Sequence, residues 1–337
     1  MIDQVFRLMQ NSDHTENFVA LTPALTLGIY LSGMKTTLIA TVCILFSSLS
    51  VSAVSMFDKV NDFDGDGHAD YAVTRNENGL KVWHIWRSTA GYLVVQWGVA
   101  DDTVNAGDYD GDGRTDPAVT RLTAYVDNRY YYSTFYLASS SGSVGVVEVN
   151  AMNAIGSLAL YNEDYDGDGK TDPGIFQWHG IGFLVYRMSS TGSQNSVSMG
   201  WFQVRVGDVT GDNVADIASY DISTQSLSVA GRNIRWGNGG DRWVAADFDG
   251  DNVGEIAIFR ASTGEWWWIR SSDSVVNVVR WGIIGDTPVH ADYDGDGKTD
   301  IAIYRPASPQ STYWVLGSGG QSSAFGFGVS TDAAVTY

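Results

Sequence analysis

Short runs of alternating apolar and polar residues recur along most of the chain. Three of them, Ile301–Arg305, Ile256–Arg260 and Tyr71–Arg75, have the two-residue period and β-branched content of half-buried strands. Each is followed by a second run rich in aromatic residues: Thr312–Leu316, Glu265–Ile269 and Lys81–Ile85. A third run ends in Trp-Gly at Trp97, Trp236 and Trp281, and a short segment such as Thr287–His290 comes before the next unit. The pattern predicts units of about four short β-strands.

A nine-residue motif directly precedes the alternating run in every unit. Four copies read Asp-x-Asp-Gly-Asp-Gly-x-x-Asp, and two relatives carry Asn in place of the second Gly. We number these segments loop 1 to loop 6 and their residues position 1 to position 9: 62–70, 108–116, 164–172, 208–216, 247–255 and 292–300. Recurrence at 39 to 56 residues is typical of repeat architectures.

The end of the chain indicates how the array closes. Phe327–Asp332 matches Trp281–Asp286, the segment that precedes loop 6. At the same spacing, the next loop would begin at position 338, one residue beyond the last residue of the chain. From Asp62 to that point is 276 residues, which is six units of 46. Such an array closes if its C-terminal strand pairs with the first unit, and closure removes exposed sheet edges. We therefore predict an all-β, six-bladed β-propeller, with seven blades as the alternative.

The loops offer oxygen ligands at alternating positions, which suits a hard cation with flexible geometry. Side chains at positions 1, 3, 5 and 9 and the backbone carbonyl at position 7 would bind Ca²⁺, up to one ion per loop. Zinc would require His or Cys, and Mg²⁺ would retain more water. Loop 4 has Thr210 at position 3, so weaker binding is expected there. The predicted metal ligands are Asp62, Asp64, Asp66, His68, Asp70, Asp108, Asp110, Asp112, Arg114, Asp116, Asp164, Asp166, Asp168, Lys170, Asp172, Asp208, Thr210, Asp212, Val214, Asp216, Asp247, Asp249, Asp251, Val253, Glu255, Asp292, Asp294, Asp296, Lys298 and Asp300.

The charge balance supports this interpretation. The chain has 39 acidic against 20 basic residues, and 23 of the acidic residues lie in the six loops. Four carboxylates within nine residues repel one another unless a cation neutralises them. A net charge of −19 also argues against nucleic acid as a partner. The single cysteine, Cys43, excludes an internal disulfide framework.

The N-terminal segment has the pattern of a secretory signal. Residues 34–53 have a basic start at Lys35, an apolar body and the small-residue ending Val51-Ser52-Ala53. The alternative is a membrane anchor, but the apolar body is shorter than the ~20 residues that a span requires. Residues 1–33 are interpreted as an upstream extension that arises from a wrongly assigned gene start, with Met34 as the initiator, and the mature chain as residues 54–337. We therefore predict a secreted, extracellular or periplasmic protein with no membrane span in the mature chain.

The loop motif followed by Ile301-Ala-Ile-Tyr-Arg305 resembles the FG-GAP/VCBS repeats of bacterial secreted proteins over residues 57–337. These repeats are related to the blades of the integrin α-chain propeller and of some fungal lectins. The resemblance implies a calcium-stabilised propeller with a role in adhesion or glycan binding. Because integrin propellers have seven blades, it also keeps the seven-bladed alternative.

The sequence favours a binding protein over an enzyme. The mature chain has four histidines (His68, His84, His179 and His290) and no nucleophile motif. We expect a non-catalytic adhesion module for an extracellular protein or surface ligand, with a glycan-binding lectin as the alternative and a polysaccharide-active enzyme as a third possibility. Aromatic residues that are not repeated between units are the candidate ligand contacts: Tyr130, Tyr131, Tyr132, Trp266, Trp267 and Trp268.

Overall fold

The computed structural model describes residues 60–152, 159–178, 181–199, 202–205 and 207–336. Within these ranges the protein consists of 24 β-strands in six four-stranded antiparallel sheets, and no helix is present. The six sheets are the blades of a six-bladed β-propeller, as the repeat count predicts. The proposed signal, residues 34–53, and the upstream segment 1–33 lie outside the described residues.

In five of the six blades the strands follow one another in sequence from one sheet edge to the other, and in blade 1 the last strand of the propeller lies beside its first. Blade 1 contains β1 (Tyr71–Glu77), β2 (Leu80–Arg87) and β3 (Gly91–Val99). Blade 2 contains β4 (Thr103–Val104), β5 (Ala118–Val126), β6 (Arg129–Leu137) and β7 (Val144–Met152). Blade 3 contains β8 (Ala159–Leu160), β9 (Gly174–Trp178), β10 (Gly182–Arg187) and β11 (Gln194–Met199).

The other three blades repeat the same order. Blade 4 contains β12 (Phe202–Val204), β13 (Ala218–Asp221), β14 (Ser226–Val229) and β15 (Arg232–Arg235). Blade 5 contains β16 (Arg242–Ala246), β17 (Glu255–Arg260), β18 (Glu265–Ile269) and β19 (Val276–Arg280). Blade 6 contains β20 (Thr287–Pro288), β21 (Ile301–Arg305), β22 (Thr312–Leu316) and β23 (Ser322–Gly326). The last strand, β24 (Ala333–Ala334), completes blade 1.

The ring closes through β24. Ala334 and Ala333 pair with Val73 and Thr74 of β1, and the backbone N–H of Val335 donates to the carbonyl of Ala72 at 2.9 Å. The first blade is therefore built from both ends of the propeller, which confirms the predicted pairing of the C-terminal strand with the first unit.

The hydrophobic core lies between neighbouring blades. Trp83 and Ile85 of blade 1 pack in one cluster with Val119 of blade 2, and Phe259 of blade 5 packs with Ile303 of blade 6. The fourth strand of a blade faces solvent on alternate residues, as in β3 and β19. The first strand, at the opposite edge, leads directly into the aspartate loop.

An Arg–Asp ion pair, which we call the Arg–Asp latch, recurs in four blades. Asp286, five residues after Trp281, accepts two hydrogen bonds of 2.8 Å from Arg305 and one of 2.7 Å from the Ile283 N–H. The same pairs recur as Arg75 with Asp332, Arg121 with Asp102 and Arg260 with Asp241. These arginines therefore belong to the scaffold, and their aspartate partners follow three Trp-Gly segments and Phe327-Gly328.

Candidate metal-binding loops

The six loops form a hydrogen-bonded ring. In each loop the backbone N–H at position 8 donates to the position 1 carbonyl of a neighbouring loop, over 2.5 to 2.8 Å. The donors and acceptors are Thr115 to Asp62, Thr171 to Asp108, Ala215 to Asp164, Gly254 to Asp208, Thr299 to Asp247 and Ala69 to Asp292. The last of these joins loop 1 to loop 6. The loops therefore lie side by side on one face of the propeller.

Neighbouring loops also interlock through side chains. Gly65, at position 4 of loop 1, has a φ of +73°, and a Cβ there would lie 2.8 Å from Nε of Arg114, at position 7 of loop 2. Position 4 therefore needs glycine both for its left-handed backbone and for this close approach. The same contact recurs around the ring, and the covering side chains are Lys170, Val214, Val253, Lys298 and His68. Four of the six are basic residue types that lie against an acidic loop.

The position 1 carboxylate shapes its own loop. Asp62 accepts hydrogen bonds from the backbone N–H groups of Gly65 at 2.6 Å and Gly67 at 2.9 Å. Position 6 also adopts a left-handed backbone, including Asn213 at a φ of 62° and Asn252 at 63°. Asparagine tolerates this geometry, so its replacement of glycine in loops 4 and 5 preserves the turn.

The position 9 carboxylate ties the loop to the blade. Asp70 accepts from the Phe63 N–H at 2.8 Å and from the Ser88 N–H at 2.7 Å. Ser88 lies in the turn between the second and third long strands of its blade, and its hydroxyl donates to Asp66 at position 5. A serine N–H donates to the position 9 carboxylate in the same way at Ser139, Ser189, Ser271 and Ser318.

Sequence reasoning missed this turn serine. Its separation from position 9 varies from 16 to 23 residues, because the intervening strands differ in length. A search at a fixed period does not align these residues. The sequence feature that identifies this residue is a serine one or two positions after the end of the aromatic strand.

Carboxylates converge in five of the six loops. In each cluster one ligand atom from every member lies within 4.8 Å of the others. Oxygens bound to one calcium ion lie at most about 5 Å apart, because Ca–O distances are 2.3–2.6 Å. The clusters are Asp62, Asp64 and Asp66; Asp108, Asp110 and Asp116; Asp164, Asp166 and Asp172; Asp247, Asp249, Asp251 and Glu255; and Asp292, Asp294 and Asp300. Among the described residues loop 4 forms no such cluster, because Thr210 replaces the acid at position 3.

Burial shifts the pKa of the position 9 carboxyls upward. It raises the pKa of Asp70 to about 8, with further contributions from the charges of Asp64 and Asp62, against the lowering effect of the Ser88 and Phe63 N–H groups. Burial likewise raises the pKa values of Asp116, Asp172 and Glu255 to about 7. Burial and the neighbouring negative charges together disfavour the ionised form of these clustered acids.

The donor set fits a calcium ion. Every cluster member is a carboxylate, which suits a hard cation, and the loop 1 cluster includes a buried oxygen, Asp64 Oδ1, with no hydrogen-bond partner in the described structure. The position 5 residues of loops 2, 3 and 6 lie outside the clusters, which contain positions 1, 3 and 9 there. Ligation by the position 7 carbonyls remains a prediction.

The aromatic candidates lie in different environments. Trp266 is only 1% exposed and its indole N–H donates to the Trp281 carbonyl at 2.8 Å, so its prediction as a surface contact is wrong. Trp267 lies 5.3 Å below the Arg260 guanidinium, and Trp268 packs on Phe248. Within the unrepeated segment of blade 2, the half-buried Tyr130, Tyr131 and Tyr132 lie on β6, with the Tyr130 ring 4.5 Å from that of Tyr125.

The described histidines have structural contacts. His68 Nδ1 lies 3.5 Å from Asp66, and His84 Nδ1 lies 2.6 Å from the Tyr92 hydroxyl. His290 is buried, its Nε2 lies 3.0 Å from the Ala245 carbonyl, and burial lowers its pKa to about 4. His179 lies outside the described residues.

Comparison with models of protein families gave no match, and comparison with curated proteins gave no significant match. The described part of the chain contains no helical stretch with the length and hydrophobicity that a bilayer crossing requires.

Proposed function

We propose that this protein is a calcium-stabilised β-propeller that works outside the cytoplasm as a non-catalytic binding module. The observation that carries the proposal is the convergence of carboxylate oxygens within 4.8 Å in five loops of one ring. Calcium would supply the positive charge that allows these buried acids to ionise together. Because the loops are hydrogen-bonded to one another, each ion would stabilise two blade junctions as well as its own turn.

The binding role is supported by the shape of blade 2. Its β5–β6 hairpin extends from Ala118 to Leu137 and exposes about half of the Leu122, Tyr125 and Val126 side chains. Exposed apolar residues gathered on one long hairpin are a candidate surface for contact with a ligand or partner. An extracellular protein or surface ligand is therefore the proposed target.

Calorimetric titration of metal-free protein tests the metal assignment. We expect five tight calcium sites, a weaker response from loop 4 and far weaker binding of Mg²⁺. Asp249→Asn should remove or weaken at least tenfold one of the tight sites, while Asp101→Asn, an exposed aspartate outside the loops, should leave all of them unchanged. Absence of binding at millimolar calcium would refute the assignment.

A further inference from the structure

A cavity of about 240 Å³ lies between blades 2 and 3, apart from the loop ring. Blade 2 contributes Arg129 and Asn150, and blade 3 contributes Gln177, Phe183, Gln194 and Ser196. Four of these residues carry amide or guanidinium groups, and the Arg129 guanidinium donates to the Asn150 side-chain oxygen at 3.0 Å.

This junction differs from two others, in which a tryptophan connects neighbouring blades. Between blades 1 and 2 the Trp97 indole donates to the Phe135 carbonyl at 2.9 Å, and between blades 5 and 6 Trp281 donates to Trp314 at 3.1 Å. Strand β7, which ends blade 2, contains no tryptophan. Gln194 instead exchanges two hydrogen bonds of 2.9 Å with the backbone of Asn150, which fixes its amide at the cavity wall.

Gln177 is the residue that points to a ligand. It lines the cavity, is only 4% exposed, and its Nε2 has no acceptor in the described structure. A buried donor without a partner is destabilising, and native proteins retain few of them. An acceptor oxygen of a bound molecule would satisfy this amide.

The lining defines the class of that molecule. Amide side chains and a serine hydroxyl both donate and accept hydrogen bonds, as adjacent sugar hydroxyls do. The half-buried Phe183 and the aliphatic Val185 provide an apolar wall against which a ring can pack. The volume is below the about 300–1,000 Å³ of sites for drug-sized ligands, so it suits one ring. We infer that this cavity binds a single saccharide residue of an extracellular glycan.

This inference rests on the proposed binding role and gives it a ligand class, in favour of the glycan-binding alternative. It shares no residue with the loop ring, so the two can fail independently. Loss of the calcium assignment would appear as an absent calcium response, whereas loss of this inference would appear as absent sugar binding by folded, calcium-saturated protein.

The test is a glycan array probed with the full-length protein in calcium, followed by titration with methyl glycosides of hexoses, N-acetylhexosamines and uronic acids. Gln177→Leu keeps a similar volume but removes the amide, so we expect at least a tenfold weaker affinity with an unchanged or raised melting temperature. Ser196→Trp should block binding by filling the cavity from the exposed strand β11. The matched control is Gln225→Leu, which lies at a separate cleft between blades 4 and 5.

Sugar binding that is weakened by both cavity variants and retained by the control would support the inference. No binding to any probe, or binding that survives both Gln177→Leu and Ser196→Trp, would overturn it. A fall in the melting temperature of Gln177→Leu without loss of sugar affinity would also overturn it, because Gln177 would then serve packing alone.

Discussion

At the residue scale, the aspartates of one loop have different roles. Asp62 shapes the turn by accepting the N–H groups of Gly65 and Gly67, and Asp70 fastens the loop to the turn at Ser88. Asp64 retains a buried oxygen without a partner. Some carboxylates of the repeated motif therefore stabilise the fold of the loop. The motif also carries carboxylate oxygens that these structural roles do not use.

The turn serine gives a first prediction. Ser318 donates its hydroxyl to Asp296 and its N–H to Asp300, so Ser318→Ala removes only the hydroxyl bond. We expect a loss of about 1 kcal/mol in the free energy of unfolding, as for a typical single hydrogen bond. Urea unfolding measures this difference, with Ser323→Ala on strand β23 as the control. Equal stability of the two variants would show that the hydroxyl contributes nothing.

The raised pKa values predict a pH dependence with a definite sign. The Asp70 carboxyl has a folded-state pKa of about 8 against an ordinary value of 3.8, so the folded metal-free protein binds more protons than the unfolded chain. This stabilisation is complete below pH 4 and is lost as the pH rises towards 8. The free energy of unfolding of metal-free protein should therefore fall over this range.

Calcium binding should have the opposite pH dependence to the stability of the metal-free protein, and should become tighter as the pH rises. Binding requires ionised carboxylates, so protons leave as the ion enters and the apparent affinity rises with pH. Calorimetry at pH 6 and pH 8 should show tighter binding at the higher pH, with proton release at the lower one. Affinity that is independent of pH would contradict the assignment of Asp116, Asp172 and Glu255, whose pKa values are about 7, to the sites.

At the element scale, the strands were predictable because their pattern is local. The strands β21, β22 and β18 coincide with the predicted runs, since alternation and β-branched content act within each run. Which aromatic residue reaches solvent depends instead on the neighbouring blade. Trp266 and Trp267 are adjacent in sequence, yet Trp266 is buried between blades and Trp267 lies under Arg260.

The Arg–Asp latch predicts which of two substitutions lowers the free energy of unfolding more. The Asp286 side chain is 1% exposed, whereas that of Arg305 is 33% exposed. Arg305→Met leaves a buried carboxylate without its cation and should lose about 3–5 kcal/mol. Asp286→Ala leaves a guanidinium that water can reach and should lose about 2 kcal/mol. Chemical denaturation measures both, and the reverse order would contradict this account of the latch.

At the scale of the whole molecule, closure could be predicted from arithmetic, but the contacts between units could not. The spacing from Asp62 to the end of the chain indicates six units. The hydrogen bond from Ala69 to Asp292 and the cavity at Gln177 depend on how separate blades meet, and no local pattern encodes them. The acidic loop residues were predicted as candidate ligands from residue type, while their grouping into five clusters required the structure.

Closure itself can be tested by deleting residues 333–337. This removes the β24 pairing with Val73 and Thr74 and the buried side chain of Val335. The loss in unfolding free energy should be on the order of 5 kcal/mol, from one buried valine and a few backbone hydrogen bonds. Val335→Ala isolates the side-chain part and should lose less. A deletion no more harmful than Val335→Ala would show that β24 does not hold the ring closed.

The most direct test of the central claim is thermal unfolding of the purified protein at 1 mM calcium and after EDTA treatment. One site held at 100 times its Kd contributes about 2.7 kcal/mol, and 1 kcal/mol corresponds to about 2–4 °C for a chain of 150–250 residues. With several loops occupied, we predict a melting temperature at least about 10 °C lower in EDTA, restored by calcium and not by magnesium. An identical melting curve in both conditions would contradict a calcium-stabilised propeller.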